Sequence, residues 1–164
     1  DCLNNLGGVV SPLLYNDDDQ LTGDVVDGSS GQITGFGTTG DGVLSPFLAL
    51  EIKKNSVSFA VENAIELNEG SSFSRVTLTV SLKRRDQLKR QVLEAMGAGQ
   101  RMLAFAVTDG NGNTWLFRNM QLATNAEANG ATKAEGSKYD ITFVGEMDAA
   151  PRTLSVAAKG YLVA

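Results

Sequence analysis

The sequence predicts a mainly β fold: an antiparallel β-sandwich or partly closed barrel with one principal α-helix at about residues 86–96 and a long N-terminal arm. Three observations predict it. Five segments alternate apolar and polar residues with a period of two, the pattern of half-buried strands. One segment alone carries a helical stripe, Leu88, Val92, Ala95 and Met96 at i, i+4, i+7 and i+8. Residues 1–50 hold nine of the 18 glycines and two of the three prolines, a composition for turns and extended chain.

The chain therefore divides into a glycine-rich acidic arm at 1–50 and a β-sandwich domain with one helix at 51–164. In the arm, Val9-Val10, Leu13-Leu14-Tyr15, Val25-Val26, Ile33, Phe36 and Phe47-Leu48 recur between turns. That is more large apolar surface than a disordered tail carries, so one or two short strands are expected, packed on the domain or on a neighbour. Val57, Phe59, Val61 and Ile65 alternate with Ser58, Ala60, Glu62 and Ala64, a strand. Asn68-Glu69-Gly70-Ser71-Ser72 turns it into Phe73–Leu82, where Val76, Leu78, Val80 and Leu82 share one face. The helix follows, with Leu88, Val92 and Met96 expected against the sheet and Gly97 and Gly99 as its stop.

Leu103–Thr108 and Thr114–Leu122 form the next hairpin. Ala123–Lys138, polar and rich in small residues, reads as a long loop. Tyr139, Ile141 and Phe143 alternate with Asp140, Thr142 and Val144 as a further strand. Ala149-Ala150-Pro151 breaks it, and Thr153–Val163 is expected as a terminal strand.

Composition narrows the function classes. No histidine is present, which removes the commonest general base and the commonest metal ligand. The chain is not expected to be an enzyme, and no catalytic, cofactor-binding or metal-binding residue is assigned. Cys2 is the only cysteine, so no intrachain disulfide forms, which fits a reducing compartment or assembly inside a cell. The first residues carry neither a basic n-region nor an apolar h-region, and no apolar run reaches the roughly 18 residues of a membrane helix. A net charge of −5 disfavours binding by phosphate neutralisation.

That charge is unevenly placed. Residues 1–50 contain seven Asp and no Lys or Arg, whereas Lys83, Arg84, Arg85, Lys89 and Arg90 face a single Asp86 in residues 83–90. Opposite signs in one chain suit head-to-tail contact between copies; the alternative is two separate solvated faces. The candidate oligomer interface is accordingly Lys83, Arg84, Arg85, Lys89 and Arg90 with Asp17, Asp18 and Asp19.

Other motifs dissolve on inspection. Asp109-Gly110-Asn111-Gly112-Asn113 opens like a calcium loop, but Thr114 stands at position six and Met120 at position twelve. Gly, Asn and Asp between two apolar strands are what a hairpin tip requires. Gly35-Phe36-Gly37-Thr38-Thr39-Gly40 matches G-x-G-x-x-G, yet Asp41, Gly42 and Pro46 follow where a helix would have to begin. Asp17-Asp18-Asp19 reads as a solvated acidic turn rather than a cation site. The basic run lacks interleaved aromatics and reads as a subunit-facing surface rather than a nucleic-acid site. Trp115 and Phe117 read as core, and no two of Glu62, Glu66 and Glu69 form a glycosidase pair.

The order of elements across Val57–Leu82, Asp86–Met96, Leu103–Leu122 and Tyr139–Glu146 resembles the tail-tube proteins of phage tails and related injection machines. The resemblance lies in element order and residue style, since the family has no diagnostic motif. It implies a virion structural protein made in the bacterial host cytoplasm. It further implies a homo-oligomer, a hexameric ring stacked into a tube, partnered by other tail or connector proteins. DNA or effectors would pass the lumen without specific binding, and an acidic excess would favour a negative lumen. A tail terminator, connector or baseplate ring with the same fold fits as well. The rival from another class is a surface or secreted carbohydrate- or protein-binding β-sandwich module.

Overall fold

The structure, a computed structural model, describes residues 8–21, 24–36, 46–50, 52, 56–83, 87–97, 101–129, 131–132 and 136–163. Among these residues ten strands and two helices follow one another in the order β1 (Val9–Asp17), β2 (Asp24–Val26), β3 (Ile33–Phe36), β4 (Leu48–Leu50), β5 (Val57–Glu66), β6 (Ser71–Lys83), α1 (Gln87–Gly97), β7 (Leu103–Asp109), β8 (Thr114–Asn129), β9 (Ser137–Met147), β10 (Arg152–Thr153) and α2 (Val156–Val163). Asp18–Gln20 form a short 3-10 turn after β1. The chain is mainly β, as its periodicity predicts.

Eight strands make one antiparallel sheet in the order β4-β1-β7-β8-β9-β6-β5, with β10 added beside β8. The sheet curls without closing into a barrel. Phe59 on β5 and Phe117 on β8 are three strands apart, about 14 Å in a flat sheet, yet their ring centroids lie 5.1 Å from each other. Phe105 and Phe143, two strands apart, approach to 4.7 Å. The concave side thus wraps around its own aromatic side chains, with Val76, Leu78, Val80, Phe105, Phe117, Ile141 and Phe143 nearly fully buried.

A second, smaller core lies on the other side. Strand β7 alternates Leu103, Phe105 and Val107 into the concave core with Ala104 and Ala106 into the second one. The second core adds Leu116, Ile33, Phe36, Phe47 and Leu154, and is covered by Ala158 and Leu162 of α2. Alanines on the outer face of β7 let these groups pack close to the backbone.

Several expectations need correction. The described part of residues 1–50 is not an arm standing off a sandwich. β1 is an interior strand, paired with β4 on one side and β7 on the other, and β2 pairs with β3 as a two-stranded sheet beside the second core. The long loop at 123–138 is largely strand: β8 and β9 pair from Met120↔Gly145 to Asn129↔Ser137, so the connection shortens to 130–136. Residues 123–127 are exposed, which erases the alternation that marks a strand, while backbone pairing to β9 holds them extended.

The segment from Thr153 is also reassigned, because only Arg152 and Thr153 are strand and Val156–Val163 is helix. Ser155 starts it, its Oγ accepting the Ala158 amide at 3.2 Å, and Ala158 and Leu162 then face inward at i, i+4. In α1 the buried residues are Leu93 and Met96, whereas Leu88 is 71% exposed in the first turn and Val92 is half-buried. The helix seats on β8 at its C-terminal end, where a Cβ on Gly97 would stand 2.9 Å from Leu122 Cδ2. That seating rotates the contact face from the 88/92/96 stripe to 92/93/96.

Candidate functional site

The hairpin tip at 109–113 forms as its residue types predict. Asp109 Oδ1 accepts the amides of Asn111 and Asn113, both at 3.0 Å, and Oδ2 accepts Trp115 Nε1 at 3.0 Å. Gly112 supplies the left-handed residue, with φ 88°. Both carboxylate oxygens therefore serve the turn. Among the described residues, no three or more Asp, Glu, Cys or His side chains converge on a site that could hold a metal ion.

The charged side chains named from the sequence fall into three places. Asp17 ends β1 and is bound by Arg101, whose Nη2 lies 2.6 Å from Asp17 Oδ2 and whose Nε also donates to it. Arg101 Nη1 reaches back to the Ala95 carbonyl of α1 at 3.3 Å, tying the acidic turn to the helix C-terminus. The hydrogen bond from Arg101 to Asp17 raises the guanidinium pKa above its usual value. Beside it, burial pushes the Tyr15 hydroxyl pKa up, and Arg101 pulls it partly back.

Asp18 is held by Arg118 on β8. Arg118 Nε donates to Oδ1 at 2.9 Å, and Nη2 donates to the Asp18 and Leu21 carbonyls at 3.0 and 3.3 Å. Asp19 is exposed and accepts Gln20 Nε2 at 3.0 Å. On α1, Arg90 grips Glu127 of β8 with Nε–Oε1 at 3.1 Å and Nη2–Oε2 at 2.5 Å, and this bond raises the Arg90 pKa. Lys89 is half-buried on the same helix. Arg84, Arg85 and the Lys83 side chain lie outside the described residues, although the Lys83 backbone pairs with Lys138. The acidic turn is thus met within the chain by Arg101, which lies just past α1, and by Arg118 of β8. Neither arginine stands out in the sequence, because each lies more than 80 positions from its partner.

The Asp18–Arg118 pair marks an irregularity in the sheet. The β7–β8 register shifts between Leu103↔Met120 and Phe105↔Phe117, leaving one extra residue on β8. Asn119 takes it up with φ 55°, and is the one non-glycine residue at positive φ among those described. Its amide donates to Asp18 Oδ1 at 3.3 Å. Across from it, Gly145 of β9 leaves room: a Cβ there would lie 2.8 Å from the Asn119 carbonyl oxygen and 2.6 Å from Met120 Sδ.

At this bulge β9 leaves the β8 ladder after Gly145 and β10 resumes it at Leu116↔Arg152. The gap is a cleft of ≈370 Å³ lined by Asp18, Arg118, Asn119, Asp148 and Arg152. Arg118 is committed to Asp18 and Leu21, and Arg152 Nη1 donates to the Gly31 carbonyl at 3.0 Å. The lining holds no serine, cysteine or lysine to act as a nucleophile.

The sheet margins have a different chemistry. Among the described residues β5 ends the strand order and pairs with β6 alone, over ten consecutive positions from Val57↔Val80 to Glu66↔Ser71. Toward its turn Val61 is 38%, Ile65 68% and Leu67 89% exposed. The opposite margin is β4, three residues long, with Leu48 57% exposed. No helix of the described residues is long and apolar enough to cross a membrane. No protein-family model matches the chain, and no curated protein matches it significantly.

Proposed function

We propose that this protein is a non-enzymatic structural subunit that associates with copies of itself through the margins of its sheet. The observation that carries the reading is the outer edge of β5. It is ten residues long, against a usual strand of five or six, and among the described residues no strand pairs with it. Monomeric proteins blunt such edges with Lys, Pro, bulges or short length, because a row of unpaired N–H and C=O groups recruits other strands. β5 has no Lys, Arg or Pro, and its register with β6 is unbroken. With Glu62 and Glu66 as its only charges, the strand is suited to add to a neighbour's sheet.

Edge-to-edge association can be isologous, β5 on β5, or head-to-tail, β5 on the β4 margin. Only the second uses both ends of the sheet, and it closes into a ring when the rotation per copy allows. The resemblance to tail-tube proteins gives this reading its specific form: a phage-like virion subunit whose rings, six-membered in that family, stack into a tube that DNA or effectors traverse.

Light scattering of the full-length chain across concentration, with negative-stain microscopy of the assembled fraction, tests the proposal. Rings or tubes are expected. A dimer that grows no further overturns the ring. A monomer at every concentration overturns the structural role and favours a carbohydrate- or protein-binding module.

A further inference from the structure

One bond fixes the phase of the β5 edge. The Ser81 amide donates to the Ser56 carbonyl at 2.8 Å, one step before the ladder that runs from Val57↔Val80 to Glu66↔Ser71. Residues that exchange bonds alternate along an antiparallel pair, so Ser58, Ala60, Glu62 and Ala64 turn their N–H and C=O groups toward β6. Val57, Phe59, Val61, Asn63 and Ile65 turn theirs outward, where no described strand meets them. The edge thus offers five donors and five acceptors in a row centred on Val61.

The same strand is graded in burial. Val57 is 5% exposed at one end, and Ile65 is 68% exposed at the other. The cause lies in the register. β6 pairs with β9 only from Ser74↔Met147 onward, so the β5–β6 hairpin beyond that row projects from the sheet on two strands. β5 therefore has the core beneath it at Val57 and loses it toward Ile65. The opposite margin of the sheet, β4, is three residues long and offers no edge of matching length.

We propose that β5 pairs with β5 of a second copy, antiparallel and with Val61 opposite Val61, so that two sheets become one. This rests on the self-association reading and names its contact. Length comes first: of the two margins, only another β5 is long enough to bond every outward group, with Val57 meeting Ile65 and Phe59 meeting Asn63. The burial gradient comes second. A two-fold axis reverses it, so the projecting end of each strand lies beside the partner's Val57, where that copy's core is closed, and Ile65 is covered. Side-chain pairing comes third. On the outer face Glu62 falls opposite Ala60, and Ala64 opposite Ser58. Centring the pair on position 62 would set Glu62 against Glu62, which is unfavourable, and centring it on 60 would carry Ile65 past the start of the partner's strand. In the proposed register the two Glu62 side chains lie on a diagonal, about 7–8 Å apart, and each has Arg75 of its own β6 at 4.0 Å. The contact is isologous and occupies one margin, which leaves β4 free for a further contact.

The test uses full-length chains carrying Cys2→Ser, oxidised mildly and separated without reductant. Ser58→Cys and Ala64→Cys are expected to give a covalent dimer when mixed, because directly opposed residues of this kind have Cα atoms about 4.5 Å apart. Neither is expected to dimerise alone, since six residues of offset hold each about 20 Å from its own copy. Val61→Cys, opposite itself at about 5.5 Å, is expected to cross-link without a second variant. Association is then measured by light scattering for two substitutions at the exposed Ala60. Ala60→Glu meets Glu62 twice across the contact and is expected to weaken association about threefold or more at low salt, whereas Ala60→Lys strengthens it. Assemblies in which the mixed pair does not cross-link, or in which Ser58→Cys links to itself as strongly, overturn this inference and leave the structural-subunit reading standing. Equal effects of Ala60→Glu and Ala60→Lys overturn the register. A wild-type chain that never associates overturns both the inference and the reading.

Discussion

Gly145→Ala tests the most constrained point of the fold. Gly145 lies in β9 opposite the bulge at Asn119, and its added Cβ would meet the Asn119 carbonyl oxygen at 2.8 Å and carbon at 3.2 Å, with Met120 Sδ at 2.6 Å. The sulfur belongs to a flexible side chain, but Met120 is fully buried and has little room to swing. The carbonyl belongs to a backbone held by the positive φ of Asn119 and by the Asp18 bond to its amide, so it cannot retreat without opening that latch. Overpacking of this kind costs about 1–3 kcal/mol. Alanine restricts the unfolded chain more than glycine does, which returns about 0.5–1 kcal/mol. A net loss of about 1–2 kcal/mol is expected, a fall in Tm of about 2–8 °C for a chain of this size. Thermal unfolding followed by circular dichroism, with urea midpoints alongside, measures it. Met120→Ala adds a cavity of its own but frees the sulfur's space, so the double variant should be less destabilised than the sum of the two. An unchanged or raised Tm for Gly145→Ala would refute the steric argument, and strict additivity would assign the strain to the backbone alone.

Three further outcomes follow from the same geometry. Leu93→Asp should cost several kcal/mol by burying a charge, while Leu88→Asp should stay within about 0.5 kcal/mol of wild type; comparable losses in the two melts would mean that α1 is seated on its other face. Arg118→Ala takes the guanidinium from Asp18, which keeps the long Asn119 amide bond, and from the Leu21 carbonyl, in a setting where both charged side chains are under one-fifth exposed, and should lower stability by about 2–3 kcal/mol in urea titrations. Ser30 and Ser29 hold the Asp27 carboxyl down to about 2 from an ordinary 3.8, so its contribution is present above about pH 4 and lost as pH falls through about 2. Asp27→Asn should therefore be the less stable protein at neutral pH, with the gap closing as melts are taken from about pH 4 toward 2; a gap that widens on acidification would reverse the assignment.

What could be read from residue order follows how each element gets its stability. β6 and β9 bury one face against a continuous core, so Val76, Leu78, Val80 and Leu82, like Tyr139, Ile141 and Phe143, print a period of two. The 109–113 tip is equally plain, since its conformation is set by its own Asp, Asn and Gly. Residues 123–129 are strand only because β9 pairs with them, and the exposed positions 123–127 leave no alternation to find. α2 is short and apolar on several sides, so Val156–Val163 fits a strand as readily as a helix until Ser155 is recognised as its start. The partners of Asp17 and Asp18 were the least accessible: nothing local relates Asp17 to Arg101 or Asp18 to Arg118, and only the fold brings them together.

The distribution of burial also bears on what the protein is for. β7 is covered on both faces, by aromatic and aliphatic groups on the concave side and, through Ala104 and Ala106, by the second core on the other. Its neighbour β8 is flanked by β7, then β9 and β10. The centre of the sheet is thus the most constrained part of the molecule, and constraint falls off toward β5 and β4, each bonded on one side only among the described residues. A monomer under selection for solubility would place its polar and charged groups at those margins. Here the margins carry Ile65, Leu67 and Leu48, all more than half exposed, alongside Glu62, Glu66 and Glu69. Ile65, Leu67 and Leu48 stand outside both cores, where a neighbouring copy could cover them. If copies associate as proposed, these residues are decisive for association and nearly neutral for folding, and measurements of stability and of assembly on one set of variants can tell those two roles apart.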